Sequence, residues 1–340
     1  MGCSAMQAIV IDPDSPQRVG FRTVEPPIPR ATEALIGVKA ISLNRGELVY
    51  GVHGQAGTPL GWDLAGVVLR PAADGGPPEG TRVAGLVRSG AWAQQVAVPT
   101  NALAELEPSV SFAQAAALPM AGLTALTALE HGASPLGRSV LVTGASGGVG
   151  LIACRLAVLA GARVVGQVRT ARSAPLVEDV GADHVLVSED VAAAEQFGRY
   201  DLIVEQLGGP HLAEAMTQLA PSGTCVSIGV TIGPAGYQVP IDMARMRQAP
   251  GACLHILNLY QELEQEPASS KLSRLLRLVS DGKLTPHLGA EADWHDISTV
   301  AQALIDRQFP GKAVLHISDE TRPRQQRLLA GPEQPPSSSC

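Results

Sequence analysis

The sequence predicts an α/β protein: a doubly wound parallel sheet preceded by a compact, barrel-like sheet of short strands. Three observations carry this. Strands and helices alternate from Val140 to Ile228. A glycine-rich turn, Gly144-Ala-Ser-Gly-Gly-Val-Gly150, joins the first of those strands to an apolar helix. Before Pro119 the chain is a series of Val/Ile/Ala runs broken by Pro and Gly.

In order, the short runs are Gln7–Ile11, Glu33–Ala40, Leu64–Leu69, Arg82–Val87 and Trp92–Val98, with turns at Pro26-Pro27 and Gly75-Gly-Pro-Pro78. Ser111 then caps an Ala-rich segment, and a helix follows the Pro119 break around Leu123–Glu130. The alternating region reads as strand Val140–Val142, helix Leu151–Ala160, strand Arg163–Val168, helix Ala174–Val180, strands His184–Val187 and Asp201–Val204, helix His211–Leu219 and strand Cys225–Ile228. An irregular stretch with Pro234, Gly236 and Pro240 comes next, then helices at Tyr260–Glu266 and Ser270–Ser280. The segment Leu284–Leu288, a helix at Ile297–Arg307 and a strand at Lys312–Ile317 complete the ordered part, and the Pro/Ser-rich tail 318–340 reads as disordered.

The chain has 340 residues, enough for two domains, and 45% of them are hydrophobic, which suits a packed core rather than disorder. A formal net charge of −7 argues against nucleic acid or an anionic membrane surface as partner. No apolar run reaches membrane-spanning length. The five cysteines are scattered, with no C-x-x-C and no Cys/His pair at metal spacing, so neither a disulfide framework nor a structural zinc is expected. The N-terminus lacks a signal peptide's charged and apolar regions, and the expected location is cytoplasmic.

The glycine turn carries the chemistry. A strand before it and a helix and second strand after it form the βαβ setting in which such a turn lets backbone approach a pyrophosphate, here at Ser146, Gly147, Gly148 and Val149. A dinucleotide that is not phosphorylated on its ribose usually meets an acid at the end of the second strand. Here that position is Val168, between Gln167 and Arg169, with Arg172 and Ser173 one short turn on. Two guanidinium groups and a hydroxyl favour a 2′-phosphate, hence NADPH, although solvated loop arginines would look the same.

Taken together, Ile41–Glu47, Gly61–Val68, Ala117–Ala125, the glycine turn, Gly181–Asp183 and Gly311–Leu315 make the chain resemble the medium-chain dehydrogenase/reductases, in their zinc-independent quinone oxidoreductase-like branch. The resemblance implies a GroES-like β-barrel domain built from both chain ends (1–119 and 285–317), a Rossmann domain between them (120–284), an active site in the cleft, and homodimers. In zinc-dependent members the metal ligands fall at the positions of Asn44, Trp62 and Met120, none of which suits zinc, so no metal is expected. Trp62 would fill the vacated space. Asp63 would be structural, paired with an internal arginine or backbone donors.

The resemblance also places Asn44 and Thr124 near the nicotinamide carboxamide. As bare residues they equally suit a turn and a helix-start cap. Leu207, Gly208 and Ile228 lie at the strand ends, where backbone groups would hold the cofactor. Lys312 matches a position near the cofactor, or is merely an exposed strand-start lysine. Relatives often carry a tyrosine shortly after the asparagine. Val49 takes its place here and Tyr50 is displaced by one, about 100° around a helix, leaving Tyr50 and His53 as candidate proton donors beside Asn44.

The expected function is NADPH-dependent, zinc-independent reduction of quinones or activated C=C bonds. The alternatives are a specialised biosynthetic reductase or cyclase of the same family, or an NADPH-binding protein with little turnover. An aromatic content of 3% offers few stacking platforms and leans towards an aliphatic enone over a large quinone.

Overall fold

The computed structural model describes residues 5–49, 51–132, 136–229 and 238–318. Tyr50, the stretch around Pro234 and Gly236, and the tail beyond Ser318 lie outside the described residues.

The first domain starts with an antiparallel pair, β1 (Met6–Ile11) and β2 (Val19–Val24). Then come β3 (Glu33–Leu43), helix α1 (Arg45–Val49), β4 (Asp63–Arg70), β5 (Arg82–Leu86), β6 (Gln95–Pro99) and β7 (Leu103–Glu105). Burial alternates along β3, so one face joins a core that includes Ile36, Val38, Ile41 and Trp92. Helix α2 (Phe112–Ala116) opens with a complete capping box: the Ser111 hydroxyl accepts from Gln114 N–H (3.1 Å) and Gln114 Oε1 accepts from Ser111 N–H (3.0 Å). Pro119 then begins α3 (Pro119–Glu130), where its missing N–H costs nothing.

The second domain contains β8 (Ser139–Val142), α4 (Gly148–Leu159), β9 (Arg163–Val168), α5 (Ala174–Asp179), β10 (His184–Val187), β11 (Tyr200–Glu205), α6 (Gly209–Met216) and β12 (Leu219–Ser227). After α7 (Met243–Met246) come β13 (Cys253–Ile256), α8 (Leu259–Glu262) and α9 (Ala268–Ser280). Its six strands are all parallel in the order β10-β9-β8-β11-β12-β13. This is the doubly wound Rossmann order, with its switch point between β8 and β11.

The chain returns to the first domain with β14 (Leu288–Asp293), α10 (Ile297–Ile305) and β15 (Lys312–His316). β15 pairs antiparallel with β3, Ala313 opposite Leu43, so both chain ends build one sheet, β14-β15-β3-β4-β5-β7, with β6 also on β3.

Three local features differ from the sequence reading or add to it. Leu284 to His287 lead into β14, which starts at Leu288. Gly282 (φ +69°) ends α9 in a Schellman motif, Lys283 N–H donating to Leu278 O, and Leu284 plugs the core behind it. The helix expected at Tyr260–Glu266 stops at Glu262. Strand β13 was not anticipated, because its Cys-Leu-His-Ile sequence sits at a sheet edge with most of its residues exposed. Among the described residues no helix is long and apolar enough to cross a membrane.

Candidate functional site

The glycine turn lies at the switch point. Gly144 takes φ +60°, a region open to glycine, and its N–H donates to Gln167 Oε1 (2.9 Å). A Cβ on Gly150 would come within 2.5 Å of Gly144 O, and one on Gly148 within 2.5 Å of Lys312 Cδ. The turn therefore brings bare backbone to the start of α4, whose first N–H groups have no acceptor inside the helix. Gly147 N–H is not among the free donors, since it bonds Gly144 O (3.0 Å). Gly148 and Val149 present theirs. Ser146 O accepts Gly311 N–H (2.9 Å), which ties the turn to the barrel domain.

At the strand ends the backbone donors are already engaged. The N–H groups of Leu207 and Gly208 are consumed by Glu205 Oε1 (2.6 and 2.9 Å), and Ile228 N–H by Glu205 O (2.9 Å). A hydrophobic pattern gives no hint of this fully buried carboxylate, whose proton affinity burial raises. These loops can offer a ligand carbonyls and shape, not those amide protons.

At the end of β9, Val168 and Gln167 are buried and Arg169 and Arg172 are exposed. Gln167 faces inward and spends its amide on Gly144 and Ser188 O (2.5 Å). The Ser173 hydroxyl lies 3.4 Å from that of Thr170. A third guanidinium arrives from the other domain. Arg307, at φ +56° beyond α10, is held below the usual guanidinium range by partial burial and by the charges of Arg45 and Arg169. Arg45 is itself anchored to Ile305 O (2.7 Å).

Across the cleft, the ordinary capping of α1 frees a functional side chain. Asn44 occupies the N-cap position, and Glu47 three residues later accepts the Asn44 N–H at Oε2 (2.7 Å). The Asn44 amide points elsewhere: Oδ1 accepts Lys312 Nζ (2.6 Å) and Nδ2 donates to Asp63 Oδ2 (2.8 Å). It is therefore not a turn residue bonding its own backbone. Lys312 is buried rather than exposed; its ammonium also donates to Leu43 O (3.1 Å) and lies 3.4 Å from Asp63. The cation beside Asp63 is thus a lysine and not an arginine. Asp63 Oδ1 accepts Met120 N–H (2.7 Å), which seats the N-terminus of α3.

Two buried carboxyls share this one ammonium. Burial, then the Asp63 charge, pushes Glu47 up to about 8; Lys312 and the Asn44 bonds oppose the shift. Burial also raises Asp63, against Lys312, Asn44 and Met120 N–H. Asp63 collects three donors and Glu47 one, with Glu47 Oε1 unpartnered among the described residues. Asp63 is accordingly the carboxylate of the pair and Glu47 the acid.

Thr124 lies within α3, not at its start, so it is no cap; it is buried with its hydroxyl 3.9 Å from Met120 Sδ. Trp62 packs over Gly46, where an added Cβ would meet the ring at 3.1 Å. His53 ends a short 3-10 turn, exposed and outside the Asn44–Lys312–Asp63 network. Tyr260 was missed in the sequence. From α8 its hydroxyl donates to Val87 O (2.9 Å), bridging the domains, and burial raises its proton affinity.

The parallel sheet, the glycine turn at its switch point and the barrel facing it define a two-domain dinucleotide-binding protein. A profile of the zinc-binding dehydrogenase family matches residues 148–253, a span that contains none of positions 44, 62 and 120. Human quinone oxidoreductase is 30% identical over 67% of this chain and 74% of its own. Bovine quinone oxidoreductase-like protein 2 is 26% identical over 88% of each. The structure of a mycobacterial protein, Rv1454c, complexed with NADPH superposes with a TM-score of 0.80 at 27% identity, covering 92% of this chain and 99% of that one. The chain belongs to the medium-chain dehydrogenase/reductase superfamily, in its quinone oxidoreductase-like branch.

Proposed function

We propose that this chain is an NADPH-dependent, zinc-independent oxidoreductase that reduces quinones or activated C=C bonds of α,β-unsaturated carbonyls. The end of β9 carries the reading. Where an NAD site places an acid stands the buried Val168, beside an inward-turned Gln167, and Arg169, Arg172 and Arg307 give the rim a positive charge suited to a 2′-phosphate. The mycobacterial neighbour complexed with NADPH supports the same cofactor.

Gly148, Val149 and the turn would hold the pyrophosphate, and Asn44 and Thr124 flank the nicotinamide end. When bound, the dinucleotide supplies the hydride. The protein's own part is to orient. Lys312 fixes the Asn44 amide, Asp63 fixes Lys312, and Trp62 with Met120 keeps the pocket apolar. A catalytic zinc does not fit here. An amide, an indole and a thioether stand at its positions, and Asp63 is committed to Lys312, Asn44 and Met120. Without a Lewis acid, an acceptor that is already electron-poor is the better substrate.

We read the active form as a homodimer joined through β13, an edge strand whose Leu254 and Ile256 are exposed, and its location as cytoplasmic. Light scattering on the purified chain tests the dimer. Fluorescence titration with NADPH and with NADH, in chelator, tests the cofactor reading. Clear preference for NADPH supports it, and binding of neither refutes it. A panel of quinones and enones then locates the acceptor.

A further inference from the structure

We infer that His131, His255 and Glu262 form a zinc site, remote from the catalytic cleft, that pins the edge of the parallel sheet to α3. The three residues come from different elements: His131 directly follows α3, His255 lies on β13 and Glu262 ends α8. Both imidazoles aim Nε2 at the same carboxylate oxygen, Glu262 Oε1, at 3.2 and 3.0 Å. Their rings stack with centroids 3.7 Å apart and planes 25° from parallel. One donor atom from each residue lies within 4.8 Å of the other two.

The three donor atoms lie close enough together for one small ion to bridge them. Each Nε2 lies at hydrogen-bonding distance of the carboxylate; an ion between them would take the place of those contacts, and the stacked rings would splay to admit it. Tetrahedral zinc with bonds of 2.0–2.1 Å needs ligand-to-ligand edges of about 3.3 Å; the two N–O edges are close to that, and the two rings would complete the site by splaying from their 3.7 Å stack. Two imidazoles and a carboxylate form a ligand set suited to zinc, with water at the fourth position. The side chains are 29%, 33% and 18% exposed, so an ion can reach them.

This is not the zinc of dehydrogenase catalysis. Met120, at the cleft, and His131 are eleven positions apart along α3, about 16 Å along a helix. The ion would act mechanically. It would fasten β13, which among the described residues pairs with β12, and α8, whose Tyr260 reaches Val87 of the barrel with Arg88 4.6 Å above its ring.

The test uses tag-free full-length protein, stripped with chelator and titrated with Co2+ as a coloured probe, then with Zn2+. Expected are about one ion per chain, visible bands of tetrahedral intensity, and an unfolding midpoint raised by ~5 °C at roughly 100 times the Zn2+ dissociation constant. His131→Gln, His255→Gln and Glu262→Gln should each weaken uptake by at least about 10-fold and abolish the shift. Circular dichroism of the metal-free variants reports whether they fold. Uptake and shift unchanged in the two histidine variants, or wild-type protein that takes up no ion below millimolar, would overturn the assignment. None of these readouts depends on the cofactor or acceptor.

Discussion

Lys312 Nζ lies 2.6 Å from Asn44 Oδ1, and this contact joins residues 268 positions apart in the chain. It fixes which way the amide faces, because the ammonium can only donate and so must meet the oxygen. Asn44 Nδ2 is then left for Asp63. The cation sits where its stem packs on Gly148, so one lysine touches both the phosphate turn and the asparagine.

Lys312→Met should therefore act twice. It strands the buried Asp63 charge, costing about 3–5 kcal/mol of stability in urea unfolding, and it frees the Asn44 amide to rotate. Lys312→Arg should not restore dinucleotide affinity, because a forked guanidinium does not fit a point-charge site. A Lys312→Met protein with wild-type stability would show that the pair is not buried.

Glu47→Gln should flatten the dependence of stability on pH. With its folded value raised to about 8 against 4.5 for the free group, Glu47 favours the native state fully below pH 4.5. As pH rises from there the unfolded chain ionises first, and the contribution is lost by the time pH passes about 8. Asp63, also raised, adds the same sign. Melting curves between pH 5 and about 8 should fall less steeply in the variant; an identical slope would mean that Glu47 is already ionised.

Replacing Arg169 and Arg172 by alanine together should weaken NADPH by about 10- to 100-fold, the loss of one or two charge-assisted hydrogen bonds, and leave NADH nearly unchanged. Arg307→Ala should shift in the same direction. Equal losses for both cofactors would remove the 2′-phosphate assignment.

Gly150→Ala places a methyl group 2.5 Å from Gly144 O and 2.7 Å from Ala145 Cα, both backbone atoms that cannot swing aside. The turn must open, and titration should show a loss of at least about 10-fold for either dinucleotide, roughly 1.4 kcal/mol.

Exhaustive chelation should leave turnover intact while lowering the unfolding midpoint, separating a zinc-free cleft from the metal cluster at His131. Turnover that chelation abolishes and zinc restores would contradict the cleft reading.

What the sequence by itself determined was contiguous chemistry. The glycine turn, the missing acid after β9 and the capping box at Ser111 are all local, because a turn or a cap depends on neighbours along the chain, whereas the significance of positions 44, 62 and 120 came only from the family resemblance. Tertiary structure decided everything that depends on burial or on distant partners. Lys312 looked like any strand-start lysine until β15 lay against β3 and sealed it beside Asp63. Only the fold turns Glu205 back onto the amides of Leu207 and Gly208. His131, His255 and Glu262 carry no spacing that a reader could recognise, since three elements bring them together only when the sheet edge packs on α3 and α8.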